Sequence, residues 1–344
     1  MTKPIIVMCP GQFRTGGPEA LHQLVHQLNQ LKDVKGYIYY YGEKIPQIIA
    51  EYQSFYQVHE TPYLNIPGAS IIFPEPLDPR LIPTLEGGDK WVWWLSAERY
   101  WPLRYYEGCG HLFQSHYAKT KLGLLGASGL MLTDYLRQTF HEKVKPNLAK
   151  KSMITFNAIK SSMAALQLAY GGANASVLPI IGMSTAQVQQ ALLECKVYMD
   201  FGWHPGRDRL PREAVLSGCL VVTGRDGAAD NAVDIPIPET YKIELDDLAS
   251  RAKWLVNLVN EYEQRQQDFA HYRELVLGQE QQFIGEVAEI AQTMTNAGGI
   301  TDYLCTPTID AALDDYLMMQ ERRARAWQIT ATQQALRSFQ KAVG

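Results

Sequence analysis

A single stretch, Lys196 to Gly224 (KVYMDFGWHPGRDRLPREAVLSGCLVVTG), leaves this chain few folds to choose from. VYMDF is a short apolar run with Val and Tyr, as a strand buried on both faces requires. GWHPGRDR then crowds two Gly and a Pro among His204, Arg207, Asp208 and Arg209, so a charged loop leaves the carboxyl end of that strand. LPREAVLSG reads as a short helix, with Pro211 tolerable in its first turn and Gly218 as its C-terminal stop, and CLVVTG is the next strand. Strand, loop, helix and strand in succession make a parallel crossover, and open α/β sheets bind ligands at such loops. Glu213, near the amino end of that helix, either complements the helix dipole or reaches a ligand.

The remainder of the chain supplies what this unit lacks. IIVMCPG is a buried-type strand, followed by QFRTGG and by PEALHQLVHQLNQL, in which Leu21, Leu24, Val25 and Leu28 recur at helical spacing. Strand, Gly16–Gly17 turn and helix is an arrangement that aims backbone N–H groups at an anion, although neither GxGxxG nor GxxxxGKS is present. GYIYYYG, GASIIFPEPLD and WVWWLS read as further strands, and IPQIIAEYQSF as a helix. HLFQSHYA and GLMLTDYL continue the pattern, so that Glu98, His116 and Asp134 fall at strand carboxyl ends. The Trp and Tyr clusters fit core positions better than a sugar platform, with Tyr100 and Trp101 kept as candidates for acceptor contact.

Lys, Pro and Asn near residues 141 to 151 suggest an interdomain connection. Beyond it MITFNAIK, ASVLPIIG and the opening segment alternate with the helical patterns SSMAALQLAY and TAQVQQALLEC, which predicts a second parallel sheet. DIPIPETYKIE reads as a short edge element, and LDDLASRAKWLVNLVN onwards as almost entirely helix. The 344 residues give room for two domains of ordinary size. A formal net charge of -4 argues against a nucleic-acid binder held by a general positive field. The five cysteines are scattered without a CxxC pair and read as reduced core residues of a cytoplasmic protein. The N-terminal apolar run is too short for a signal peptide, and no later run approaches the length of a membrane span.

MCPGQFRTGGPEALHQL, ITFNAIK, DFGWHPGRDRLPREAVLSGCLVVTG and NAVDIPIPETYKI together resemble bacterial glycosyltransferases of the polysaccharide-biosynthesis type. The resemblance spans residues 1 to about 295. It implies an α/β GT-B fold: two Rossmann-like domains facing each other across a cleft, with a helical C-terminal extension. The expected bounds are 1–145 for an acceptor domain, 146–295 for a nucleotide-sugar donor domain and 296–344 for the extension. In that group a Glu-x7-Glu motif precedes the helix. Glu213 matches its second Glu, which commonly holds the donor ribose, whereas Pro205 stands in place of the first, which contacts the transferred sugar. His204, Arg207 and Asp208 are the local substitutes, and Lys160, with Asn157 beside it, fits the place of a basic residue that neutralises the donor diphosphate.

The resemblance therefore implies a glycosyltransferase of the hexosyltransferase type. It would move a sugar from a nucleotide donor to a surface glycan, glycolipid or related acceptor. Gly16, Gly17, Asn157, Lys160, His204, Arg207, Asp208, Arg209 and Glu213 are expected at the donor. His116, Asp134 and Glu98 are the candidates for general base, His116 having the ordinary pKa best suited to the task. No Asp-x-Asp motif and no zinc spacing occurs, so transfer is expected without a metal, with no cofactor besides the nucleotide-sugar substrate. Action is expected in the cytoplasm or peripherally at the inner membrane face, with the C-terminal helices and Arg322, Arg323 and Arg325 offered to a membrane or protein partner. The alternative is a non-catalytic glycosyltransferase-like binding subunit, for which Pro205 speaks. A sugar-nucleotide epimerase or phosphorylase of the same architecture is the third reading.

Overall fold

A computed structural model describes residues 2–11, 13–42, 49–98, 101–137, 150–161, 176–296, 299–303 and 311–343. Arg99, Tyr100, Cys305, residues 141–149 of the expected connection and most of the expected helix SSMAALQLAY lie outside them. The chain forms two compact units: Met1–Tyr135 with Gln279–Met319, and Leu136–Gly278 with Gln320–Gly344.

In the first unit, strands β1 (Lys3–Pro10), β2 (Val34–Tyr41), β3 (Ser70–Pro74), β4 (Lys90–Trp94), β5 (Gly110–Phe113) and β6 (Gly129–Met131) form one parallel sheet. Its order is β2-β1-β3-β4-β5-β6. Ile5 is paired to Gly36 on one side and Ser70 on the other. The order of connection therefore reverses between β1 and β3, which is the switch point where loops part and leave a crevice. The strands read as continuous apolar runs because both faces are covered: Ile5, Ile6 and Val7 are buried, as are Trp91, Trp93 and Trp94. These tryptophans are core, whereas Trp101 keeps partial exposure and stacks under the Arg80 guanidinium at 4.6 Å.

The helix Gln279–Thr295 belongs to this first unit, although the sequence reading placed residues up to 295 with the second domain. Phe283, Val287, Ile290 and Met294 recur on one helical face and are buried against Leu21, Leu24, Trp91 and Trp93. Each large side chain so buried contributes roughly 1.5–3 kcal/mol. Glu286 adds a polar tie, its Oε2 accepting from both the backbone N–H and the hydroxyl of Thr133 at 2.7 Å. The first turns of the last helix, Ala311–Val343, are anchored there too: Asp314 accepts from the Leu103 N–H at 2.8 Å.

The second unit holds β7 (Lys151–Asn157), β8 (Ser176–Ile180), β9 (Cys195–Asp200) and β10 (Leu220–Thr223), all parallel, in the order β10-β9-β7-β8. Its switch point falls between β7 and β9. The helix Thr185–Glu194 begins with a capping box in which Ser184 and Gln187 satisfy each other's backbone N–H. The helix Leu248–Asn260 buries Leu248, Leu255 and Leu258 against the same core as Val197, Val221 and Phe269. DIPIPETYKIE gives one isolated bridge, Thr223 to Lys242, instead of an edge strand. Pro236 and Pro238 cannot donate to a ladder, which accounts for the interruption. Cys9, Cys109, Cys195 and Cys219 are buried single thiols.

Candidate functional site

The residues expected at the donor gather, with two exceptions, at the carboxyl ends of β7 and β9. Asn157 closes β7 and turns its Oδ1 to the backbone N–H groups of Ile159 (3.2 Å) and Lys160 (3.4 Å), capping the helical turn that presents Lys160. β9 ends at Asp200. The chain then passes so close to Lys160 that a Cβ at Gly202 would lie 2.3 Å from the lysine Cβ, so only glycine fits. His204 pairs in a bridge with Gly227, whose φ of +72° and 2.2 Å approach of a would-be Cβ to the His204 carbonyl oxygen again demand glycine. The helix Arg209–Leu216 follows, carrying Glu213.

Four charged side chains form a continuous row here. His204 has no exposed surface. Its Nε2 lies 3.5 Å from Asp200 Oδ1 and its Nδ1 lies 3.0 Å from Asp208 Oδ2, ion-pair distances without the in-line geometry of a hydrogen bond. The Lys160 ammonium pairs with the same Asp208 oxygen. Asp200 is also held by the Tyr198 hydroxyl at 2.7 Å and the Ser161 hydroxyl at 3.3 Å. Burial acts to raise the Asp200 carboxyl, but His204, Lys160 and the Tyr198 bond outweigh it and bring it down to about 2. Burial likewise acts to lower His204, and Asp200 and Asp208 reverse that and raise it. Lys160 follows the same pattern, burial opposed and overcome by the two aspartates. Asp200 and Asp208 thus favour the protonated form of His204, a side chain with no exposed surface.

Glu213 is buried to 7% exposure and accepts from Arg209 Nε at 3.3 Å. Arg212, at 1%, turns back into the loop, donating to the carbonyls of Asp208 (3.2 Å) and Arg207 (3.0 Å). Arg207 and Asp208 keep partial exposure. Asp200, Ser161 and Arg212 were not singled out from sequence. An acid closing an apolar strand is the one signal that could have found Asp200.

Gly16 and Gly17 are the exceptions, for they open the helix Gly16–Leu28 of the first unit, after β1. That unit also carries the three residues read as catalytic. Glu98 follows β4 and receives no regular element; its N–H donates to Ser96 Oγ at 3.0 Å. His116 opens the helix His116–Gly123 after β5, and Asp134 follows β6, buried at 3%, with Oδ1 accepting from Gln114 at 3.0 Å. All three stand at the carboxyl edge of the first sheet, on neighbouring strands. Among the described residues no group of three or more His, Cys, Asp or Glu side chains could hold a metal ion, and no helix is long and apolar enough to cross a membrane.

No protein-family model and no curated protein sequence matches this chain. Solved structures do. Sucrose-phosphate synthase from Thermosynechococcus elongatus is similar with a TM-score of 0.60 at 11% identity, over 85% of this chain and 99% of that one. An alpha-glucosyltransferase in complex with UDP-glucose and DNA containing an abasic site gives a TM-score of 0.53 at 10% identity, over 86% and 99%. TarM gives 0.48 at 13% identity over 67% of this chain, which spans 55% of the length of TarM. At these identities what is shared is the fold, a GT-B pair of parallel α/β units.

Proposed function

We propose that the chain is a metal-independent glycosyltransferase that moves a sugar from a nucleotide-sugar donor to a surface glycan, glycolipid or related acceptor. The second unit binds the donor and the first the acceptor. In the reaction an acceptor oxygen bonds to the anomeric carbon as the bond from that carbon to the diphosphate breaks, and the electron pair leaves on the nucleoside diphosphate. Lys160, with Arg207 and Arg209 on either side of its partner Asp208, supplies positive charge to the leaving diphosphate, the work a metal performs elsewhere. Glu213 accepts from ribose hydroxyls. Gly16 and Gly17 offer backbone N–H groups, and Glu98, His116 and Asp134 line the acceptor side. The reading carries with it a cytoplasmic site of action, with the last helix available for a peripheral contact.

The observation that carries this reading is the convergence of Asn157, Lys160, Asp208 and Glu213 at the switch point of the second sheet, in a fold shared with an alpha-glucosyltransferase solved in complex with UDP-glucose. Melting curves with UDP, GDP and dTDP test it. At least one nucleotide is expected to raise the melting temperature, and Glu213→Ala to remove most of that rise. A folded protein whose melting is moved by no nucleotide ends the proposal.

Pro205, and the burial of the neighbouring His204, favour one other reading, a glycosyltransferase-like subunit that binds a nucleotide without turnover. Nucleotide binding with no release of nucleoside diphosphate from any donor, in the presence of glycoside acceptors, would select it.

A further inference from the structure

The carboxyl edge of the first sheet has a switch point of its own, between β1 and β3, and one acid stands on it. Glu75 directly follows Pro74, the last residue of β3. In sequence it lies between Pro74 and Pro76, at the end of the segment GASIIFPEPLD. The side chain is 4% exposed. Its Oε2 accepts from the backbone N–H of Leu95, beyond the end of β4, at 3.1 Å. The Glu75 backbone is fixed as well, its N–H donating to the Trp93 carbonyl at 3.2 Å and its carbonyl accepting from the Tyr106 hydroxyl at 3.3 Å. Leu95 in turn packs against the Gly16–Gly17 turn: a Cβ at Gly17 would sit 3.4 Å from Leu95 Cδ1. Carboxyl, clamp and glycine turn thus form one assembly at the point where β1 and β3 part.

What distinguishes Glu75 from the other acids on this edge is that, among the described residues, no side chain bonds its carboxyl. Asp134 already receives the Gln114 amide. Among the described residues only backbone N–H groups, those of Leu95 and of Glu75 itself, bond the Glu75 carboxyl, and no salt bridge reaches it. A carboxyl so placed holds its proton firmly. Burial pushes it up to about 8, only partly offset by the N–H groups of Glu75 and Leu95. The titratable groups facing it are two phenols, Tyr41 at the end of β2 and Tyr106 from the 3-10 turn Leu103–Tyr106. Both are themselves raised by burial, with Cys9 acting further on Tyr41 and Cys109 and Asp78 on Tyr106.

Building on the glycosyltransferase reading, we propose that Glu75 is the catalytic base of the acceptor site, its Oε1 taking the proton of the acceptor hydroxyl. The acceptor O–H bond breaks with its proton on Oε1, while the freed electron pair forms the bond to the anomeric carbon. Its elevated pKa makes the ionised carboxylate a stronger base than an exposed acid, at the expense of being ionised only toward alkaline pH. A group that acts in this way imposes an acid limb on the rate, with turnover climbing up to about pH 8.

Glu75→Gln tests the assignment, because the amide oxygen can still accept from the Leu95 N–H and so preserves the clamp. The readout is release of nucleoside diphosphate from UDP-glucose, GDP-mannose and dTDP-glucose, with water and with alkyl glycosides as acceptor probes, across pH. Calorimetric titration with UDP and GDP runs alongside. The expected result is turnover about 100-fold lower, loss of the acid limb, and nucleotide affinity unchanged. Glu75→Asp keeps a carboxylate and should retain the limb at reduced rate, which guards against a folding defect in the amide variant. Turnover and pH profile unchanged in Glu75→Gln, in a wild type that binds nucleotide, overturns the base alone. A folded wild type that binds no nucleoside diphosphate overturns the donor reading beneath it.

Discussion

The two sheets share a construction and differ in what they place at its focal point. In the second unit the gap between β7 and β9 is filled with charge: Asp200, His204, Asp208 and Lys160 alternate in sign along one row. In the first unit the carboxyl end of β3 holds an acid met only by backbone N–H groups, among tyrosines. The difference follows from the chemistry each edge can support. A balanced row of opposite charges can be buried because every member has a counter-ion, and it can exchange a carboxylate for a phosphate at little electrostatic cost. A lone buried acid is stable only when neutral, and that environment suits proton transfer with an uncharged partner.

The strongest way to break the charged row is to remove its innermost acid. Asp200→Ala leaves the fully buried His204 with one carboxylate instead of two and strips the bond from Tyr198. Uncoupling a buried pair in this way costs about 3–5 kcal/mol. Urea unfolding followed by Trp fluorescence is expected to show a midpoint lowered to match. A midpoint shift equivalent to less than about 1 kcal/mol would mean that the row is not a stabilising element.

Titration separates the two edges by the sign of their pH dependence. Asp200 is depressed in the folded state from 3.8 to about 2, so its contribution is present above 3.8 and disappears as pH falls toward 2. Its size is on the order of 2 kcal/mol. His204, raised when folded, adds stability that is complete below its ordinary 6.5 and is lost as pH climbs through the folded value. Glu75 has the opposite sign for an acid. The folded state holds its proton between 4.5 and about 8, so stability declines through that interval. Glu75→Gln, which has no charge to bury, should therefore melt higher than the wild type above about pH 8 and alike near 4.5. Equal melting at both ends would show that Glu75 ionises freely in the fold.

The two edges were unequally legible in the sequence. Alternating apolar runs and helical spacings located both sheets, and the charged loop after VYMDF announced the second edge because charges next to Gly and Pro mark an exposed turn. Burial is what the pattern could not supply. His204 lies in the same loop as Arg207 and looks like a ligand contact, yet Gly202 and Gly227 let the backbone close over it. Glu75 is hidden for the converse reason, since an acid between two prolines reads as a surface turn until Leu95 is seen to clamp it. The helix Gln279–Thr295 has a clear apolar face, but periodicity says nothing of which sheet that face will cover. Its allegiance is settled by tertiary contacts to Leu21, Leu24 and Trp91, and by the bonds that Thr133 donates to Glu286.

Asp208 poses the finest test of the comparison, because two roles predict opposite signs. Read from sequence, it is a donor contact, and its loss should weaken nucleotide binding. In the fold its Oδ2 is bonded to the Lys160 ammonium, the group that the proposed function assigns to the diphosphate. A carboxylate in that position competes with phosphate for the same cation. Asp208→Asn removes the competitor and leaves Lys160 near Asp200 and His204 with an uncompensated charge. The pair is some 28–29% exposed on each side, so solvent already weakens it and the gain is modest. UDP or GDP affinity measured by calorimetry is expected to rise about threefold, or some 0.7 kcal/mol, and the gain should vanish when Lys160→Met is combined with it. A tenfold loss of affinity in Asp208→Asn would instead place Asp208 on the ligand, and the charged row would then be part of the binding surface itself.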